Sequence, residues 1–530
     1  MRRHLPALIA TSSLIAVCGL SAGCSPQHTA AVITGPFAAL LADSTDLGPS
    51  HTGEAQLTAT LPDADRPAAL MEWADTQHLG VRWRAGDGWA VVEGTAADLA
   101  KAFGVPVNDY RGPKGQLFYA SPQQPSVPAA LGGDVTALGR IMSYTPHRIK
   151  QPNHLARDVP KGGLTPHGLL TAYNADPLVR EGHTGKGETI VFFEFDRFDQ
   201  KDLDTFADTS GLPRFTPEVI GGQPEESHGE TAMDLQVAHA IAPDAKLVVI
   251  NARPTLEGDG AYEKIGRMFE DADRRYPGAV WSLSIGWACD SFVNAADLAP
   301  VESALAGAQS HGTSAFDATG DNAGLECKGA DEWSAPPGPD DVGLDAVSSL
   351  PAMTAVGATT LSTGPRSQWL AEYPWFDSPL SQGTSGGVSA LFDRPLWQQR
   401  LVADRDGNRR RLSPDVAAVG DPISGVRFVF GQNNYVGAGT SQAAPIWAGL
   451  TVLMNQYVKA HGGRPLGNIN PLLYRVAAGS DLPGFRDVHK GGNAVDLAVP
   501  GYDVVTGLGS PNTYNLAQNL LKAQSQVAPG

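Results

Sequence analysis

Cysteine is scarce, with four in 530 residues, so disulfides cannot staple this chain as they staple small secreted domains. Stability must come from packing, with a bound metal as a further source. Basic residues are also in short supply: 39 Lys and Arg against 56 Asp and Glu leave a formal charge of −17. That excludes a general nucleic-acid binder, whose affinity rests on a basic surface. Charged residues make up 18% of the chain against 42% hydrophobic, too little charge for a largely disordered polymer. Beyond the first two dozen residues, no apolar run reads as a bilayer span. What the chain does have is length, more than one compact core usually holds, so at least two domains are expected. Its 60 Gly and 40 Pro put a loop-rich surface over the core.

Arg2 and Arg3 precede an uncharged stretch, Leu5 to Gly23, too interrupted by small and polar residues to span a bilayer. Residues 1–23 therefore read as an export signal. The stretch ends Leu20-Ser21-Ala22-Gly23-Cys24, which resembles the bacterial lipoprotein box, although Ser21 stands where such boxes more often carry Leu. Ordinary cleavage and lipidation of Cys24 both remain open, and both place the protein outside the cytoplasm, in the envelope or beyond it. Cys18 leaves with the signal. Cys289 and Cys327 then remain, to pair as a disulfide in an oxidising compartment or to stay as two buried thiols.

After a polar stretch, 24–50, expected to be flexible, residues 51–144 read as a small α+β domain. It has a helical run Arg66 to Asp75, a strand-like run Gly88 to Glu93, and a second helix up to Phe103 opened by a Thr95 cap. Residues 145–163 are rich in Pro, Gly and basic side chains and lack periodicity, the pattern of a cuttable linker. From 164 to 530, buried-strand runs alternate with helical ones: Thr189 to Phe195, helical Glu230 to Ala242, Lys246 to Ile250, Ala279 to Ser284 and Thr313 to Ala318. Apolar strands separated by helices imply an α/β domain with a parallel sheet covered on both faces. Its active site is expected at the carboxyl ends of the strands, where Gly286 and the turn Thr319 to Gly324 fall.

The sharpest segment is Gly437 to Gly449, in which Gly-Thr-Ser is followed by Ala-Ala-Pro and a long apolar helix. It places Ser441 at a helix N-terminus, where free N–H groups favour developing negative charge, or where Ser441 merely caps the helix. A serine nucleophile needs a base. His311-Gly-Thr313 is superficially similar to the histidine motif of subtilisins, but it leads into a strand rather than starting a helix and reads as a surface turn. The run His228 to Pro243 offers another base. Met233, Val237 and Ile241 recur every four residues as a buried helical stripe, and Glu230 and Asp234 lie together on an adjacent face. Like charges at i, i+4 destabilise a helix by a few tenths of a kcal/mol, and two close carboxylates can share a proton, which raises one pKa.

Glu230-x-x-x-Asp234, Gly320-Asp321 after a strand, and Gly439-Thr-Ser441-x-Ala-Ala-Pro-x-Trp-Ala-Gly449 follow in that order. Together they resemble the sedolisin family of serine-carboxyl peptidases, in its kumamolisin-like form with an activation prodomain. The similarity extends to Gly94 to Val105 in the first domain, to Leu164 to Pro166, Ala172 to Asn174 and Gly185 to Ile190, and to Gly386 to Ser389 leading into Pro395 to Gln398. It implies a subtilisin-like catalytic domain behind a self-inhibiting prodomain, a monomer acting on proteins or peptides. Ser441 would attack the scissile carbonyl, Glu230 take its proton, and Asp234 orient Glu230. Asp321 would line the oxyanion hole, which requires it to be protonated and confines activity to acid, on the order of pH 3 to 5. Glu194 matches a position that supports the catalytic Glu, while Ile285 departs from the aromatic residue of that outer shell. Loops closing the cleft decide between an endopeptidase and a tripeptidyl aminopeptidase. A binding protein that kept the fold and lost turnover is the reading outside the enzymes.

Phe485 to Asn493 and Pro500 to Pro511 resemble the family's calcium site. The resemblance implies one Ca2+ held by the carboxylates of Asp487 and Asp503 and the carbonyls of Val488, Val499 and Gly501, a set of hard oxygen donors. Without an ion these residues would form a pair of Asx turns.

Overall fold

The computed structural model describes residues 31–33, 35–112, 117–143, 148–149, 163–328, 339–377, 382–402 and 409–525. The signal segment 1–23, Cys24 and most of the 145–163 linker lie outside the described residues.

The N-terminal unit is α+β. Its four-stranded antiparallel sheet runs in the order Gly80–Arg82, Trp89–Gly94, Ala55–Thr60, Ala137–Leu138. Ala55–Thr60 alternates buried and half-buried positions, as a strand with one face on a core must. Helices Ala68–Thr76 and Ala96–Phe103 contribute Leu70, Leu99 and Phe103 to that core. Thr95 caps the second helix by accepting from the Asp98 N–H. One expectation fails: within the supposedly flexible stretch 24–50, Pro36–Asp43 is a helix and Thr45–Pro49 pairs with Asn108–Arg111. The reason is apolar. Phe37 is fully buried beneath the Arg140 guanidinium, and Leu40 and Leu41 pack against the same core.

The larger unit is built on an eight-stranded sheet. Its strands are β1 (Thr189–Glu194), β2 (Glu218–Ile220), β3 (Lys246–Asn251), β4 (Val280–Leu283), β5 (Ser314–Ala318), β6 (Thr354–Thr363), β7 (Trp369–Pro374) and β8 (Val416–Val419). The order is β2-β3-β1-β4-β5-β6-β7, with β8 also on β6, and every pairing is parallel except β6 with β7. In β1, Ile190 and Phe192 join one core while Val191 and Phe193 join the other, so both faces of the sheet are covered. Helices α1 (Glu230–Ile241) and α4 (Thr440–Ala460) cover the first face, and α2 (Ala261–Arg275) and α3 (Ala299–Ser310) the second. This is the mostly parallel α/β architecture expected.

Helix α1 is not amphipathic. Met233, Val237 and Ile241 are buried as expected, but so is every other residue of the helix, Glu230 and Asp234 included. α4, the strand Arg427–Phe430 and the helices Pro166–Ala172 and Gln200–Ser210 all pack against it, so no side is left to solvent. His311 ends α3 as an exposed residue paired with Asp273 at 2.8 Å, so it is a surface turn.

The N-terminal unit seats on the α2–α3 layer. Arg82 pairs with Glu263 at 2.6 Å, Arg84 with Glu270, and Arg267 with Asp87 at 2.9 Å. The Arg140 backbone N–H donates to the buried carboxylate of Asp297. No helix among the described residues is long and apolar enough to cross a membrane.

Candidate active site

The carboxyl ends of β1, β4 and β5 meet the N-termini of α1 and α4, which brings the polar residues of five segments together. Glu194 is the last residue of β1, Ser284 follows β4, Asp321 lies three residues beyond β5, Glu230 opens α1, and Ser441 is the second residue of α4. Gly439 precedes α4 at φ 90°, and a Cβ there would lie 2.7 Å from Asp321 Oδ2. Glycine is required for the serine-bearing helix to start so close to that carboxyl.

Ser441 is fully buried, and its hydroxyl lies against Glu230, loosely enough that neither Glu230 oxygen receives a donor at full hydrogen-bond geometry. Such contacts commonly tighten when substrate arrives. Asp234 accepts from Ser284 Oγ at 2.6 Å, and the same hydroxyl reaches the Ser441 carbonyl at 3.2 Å. Glu194 and Asp234 face each other carboxyl to carboxyl, and Glu194 Oε1 and Asp234 Oδ1 receive no other donor. Burial, and then mutual repulsion, pushes Glu194 and Glu230 well above the ordinary carboxyl range. Burial does the same to Asp234, against the opposing hydrogen bond from Ser284. The cluster thus holds protons at pH values where isolated carboxyls are ionised, and a hydroxyl lies against one end of it.

Across from Ser441, Asp321 Oδ1 accepts from both N–H and Oγ1 of Thr440, each at 2.8 Å, and the Gly320 N–H donates to Thr440 Oγ1 at 3.0 Å. Glu326 holds the turn from below, accepting from the Asn322 N–H, Asn322 Nδ2 and Ser385 Oγ. Cys327 follows and is joined to Cys289 as a disulfide, the pairing expected. Cys289, buried Asp290 and Cys327 cluster closely enough to suggest a metal site, but sulfurs already bonded to each other are poor metal ligands.

Sequence reasoning missed several members. Asp196, two residues past β1, accepts from the backbone N–H groups of His228 (2.8 Å), Gly229 (2.8 Å) and Thr231 (2.9 Å). Thr231 Oγ1 bridges Asp196 and Glu194. Ser284 and Thr440 were also unmarked. Ile285 is buried, and Trp287, two residues on, lies edge-on to Phe195 at 5.4 Å. The strand Ile285–Gly286 pairs antiparallel with Arg148–Ile149, so backbone from the expected linker lies along the edge of the site.

Near the C-terminus, pairing of Phe485–Arg486 with Ser510–Pro511 brings the two expected calcium segments together. The Gly501 N–H donates to Asp487 Oδ2 and the Val499 N–H to Asp503 Oδ2, both at 3.1 Å, and the Val488 carbonyl accepts from Thr506 Oγ1. All five residues therefore belong to one cluster of oxygen-bearing turns.

Buried carboxyls give a stability prediction. Burial pushes both Asp290 and Asp297 up to about 6, and the Glu194, Glu230 and Asp234 carboxyls shift the same way. A carboxyl raised in the folded state costs nothing below its unfolded pKa of about 4, and destabilises increasingly as pH rises through the folded value. Each of the two aspartates contributes about 2 kcal/mol of loss between pH 4 and pH 7. Urea midpoints of the Ser441→Ala chain should therefore fall over that range; midpoints that rise would contradict the assignment.

Residues 50–143 match the family described as "Pro-kumamolisin, activation domain". The chain is 29% identical to kumamolisin of Bacillus sp. (strain MN-32) over 493 residues, covering 87% of this chain and 84% of that protein. It is 25% identical to tripeptidyl-peptidase 1 of Macaca fascicularis over 457 residues, 77% of this chain and 74% of that one. In fold it is similar to Pseudomonas sedolisin, a serine-carboxyl proteinase solved with two molecules of pseudo-iodotyrostatin, with a TM-score of 0.57 at 23% identity over 68% of this chain and 98% of that one.

Proposed function

We propose, for a chain that belongs to the sedolisin family of serine-carboxyl peptidases and carries a pro-kumamolisin activation domain, that it is the exported zymogen of an acid-acting endopeptidase. The observation that carries the reading is the Ser441 hydroxyl lying against a buried Glu230–Asp234–Glu194 carboxyl cluster, with Asp321 across from it. Ser441 attacks the scissile carbonyl while Glu230 takes its proton and later passes it to the leaving amine. Asp234, held by Ser284, and Glu194 share a proton behind Glu230 and keep it oriented. Asp321 receives two hydrogen bonds on Oδ1, so its proton belongs on Oδ2, from which it donates to the oxyanion. A carboxylate base beside a carboxylic acid donor works only in acid.

Self-processing is supported by the linker backbone at Arg148–Ile149, aligned antiparallel on Ile285–Gly286 as a substrate strand would be. That segment is internal to the chain, which favours endopeptidase action. The tripeptidyl-peptidase among the relatives favours exopeptidase action instead. Digestion of an unfolded protein at pH 4 separates them: mixed fragment lengths are expected, and tripeptides released stepwise from the N-terminus would overturn the endopeptidase reading. The enzyme is proposed to act as a monomer, and its export signal to be removed by ordinary cleavage or with lipidation of Cys24; intact-mass measurement of the exported precursor, before acid incubation, decides which.

The Asp487–Asp503 cluster fits a calcium ion. Its donors are carboxylates and carbonyls, and burial raises Asp503 to about 6, a cost that a bound cation offsets. Asp487 and Asp503 would hold the ion with the carbonyls of Val488, Val499 and Gly501, and the ion would supply stability rather than chemistry. At calcium a hundredfold above its Kd, the folded state gains about 2.7 kcal/mol. Chelation should lower the Tm of the wild type, and Asp503→Ala should lower it equally and abolish the chelator effect; a chelator effect surviving in that variant would place the ion elsewhere.

A further inference from the structure

Asp196 lies outside the catalytic set and is 1% exposed, with donors on both carboxyl oxygens. Oδ2 receives the N–H groups of His228 and Gly229, and Oδ1 receives the N–H and hydroxyl of Thr231. These are the residues on either side of Glu230, so the first turn of α1 is clamped to the end of β1 through one side chain. Thr231 Oγ1 has a single proton, yet it touches Asp196 Oδ1 and, at 3.0 Å, Glu194 Oε2. With that proton given to Asp196, the contact with Glu194 is satisfied when Glu194 keeps its own.

We propose that Asp196 is the positioning residue of the catalytic glutamate: it fixes the turn that aims Glu230 at Ser441 and sets a charge at the inner end of the carboxyl chain, which governs the pH at which Glu230 becomes a base. This deepens the serine-carboxyl reading and rests on it. The groups facing Glu230 are Asp234 on its own helix, Glu194 from β1, Asp196 beyond it, and Ser441 from α4. In the loop outside, His228 and Arg253 are both engaged by Glu226, at 3.4 and 2.6 Å. Because like charge disfavours ionisation, a carboxylate at 196 holds Glu230 protonated to higher pH than its own burial would, as it does Glu194 and Asp234.

The test is Asp196→Asn in the full chain, with Asp196→Ser as a second uncharged variant that can still accept a backbone N–H. The ascending limb of kcat/KM against pH should move to lower pH by about 0.5 to 1 unit in both, while kcat falls about tenfold and KM changes little. Asp202→Asn is the structural control. Asp202 clamps a different turn, accepting from the Gly431 and Gln432 N–H groups, and its loss should lower stability without moving the limb. Glu230 is also titrated directly, by 13C NMR of glutamate-labelled Ser441→Ala chain with Glu230→Gln identifying the resonance. This arm needs no turnover. A wild type without Ser441-dependent hydrolysis would sink the functional reading separately, whereas an unchanged Glu230 midpoint in folded Asp196→Asn or Asp196→Ser would overturn this inference.

Discussion

Ser441→Ala should leave the full-length chain uncut at pH 4, under conditions where the wild type converts to a shorter form whose new N-terminus falls within 145–163. Peptide hydrolysis should fall by a factor on the order of 10⁴ to 10⁶, because the nucleophile acts as a unit with its base and orienting groups. The variant should stay folded. Ser284 Oγ reaches residue 441 through its carbonyl, and Ala is a better helix former than Ser. Glu230→Gln should cost a similar factor, since an amide cannot take the hydroxyl proton. SDS gels and intact-mass measurement before and after acid incubation read both variants. Normal self-processing by Ser441→Ala would remove the basis for assigning this site.

Asp321→Asn should widen the pH range of activity rather than abolish it. In the wild type, rate should rise as Glu230 ionises and fall as Asp321 loses the proton it donates to the oxyanion, giving a bell centred below pH 6. An asparagine at 321 can accept from Thr440 through its carbonyl oxygen and donate through Nδ2 at every pH, so the descending limb should shift upward by more than one pH unit. The peak rate should drop about tenfold, because an amide is a weaker donor than a carboxylic acid. Asp321→Ala removes the donor and should cost about 10² to 10³ in kcat at all pH values. A wild-type maximum near pH 8 would mean that Asp321 is not a neutral donor and that the oxyanion is held otherwise.

The parts of the molecule legible in the sequence were those encoded within a few residues of chain. β1 announces itself by an unbroken apolar run, the Ala96–Phe103 helix by its Thr95 cap, and the Glu230–Asp234 pair by a spacing that a bland helix would avoid. What stayed hidden depends on segments far apart in sequence meeting in space. The burial of the whole of α1 needs α4 and the strand Arg427–Phe430, some two hundred residues later, packed around it. Ser284 reaches Asp234 across 50 residues, and Thr440 reaches Asp321 across 119. A polar residue in a turn looks the same whether it faces water or another carboxyl, so Asp196 and Glu326 carried no local signal. The stretch 24–50 was misread for a related reason: its polar composition outweighed Phe37, whose partners lie around Arg140.

The ion pairs that seat the N-terminal unit on α2 would change their meaning once the linker is cut. While the chain is continuous, Arg82, Arg84 and Asp87 meet Glu263, Glu270 and Arg267 as parts of one molecule, at an effective concentration in the millimolar range that no dilution lowers. After one peptide bond is hydrolysed, the same contacts belong to a bimolecular complex, and occupancy follows the total amount of protein present. They also rest on carboxylates, which acid progressively neutralises. If the N-terminal unit blocks the site as proposed, a single cut in acid would convert a concentration-independent block into a dissociable ligand, and how far the block lifted would depend on how thinly the protein is spread.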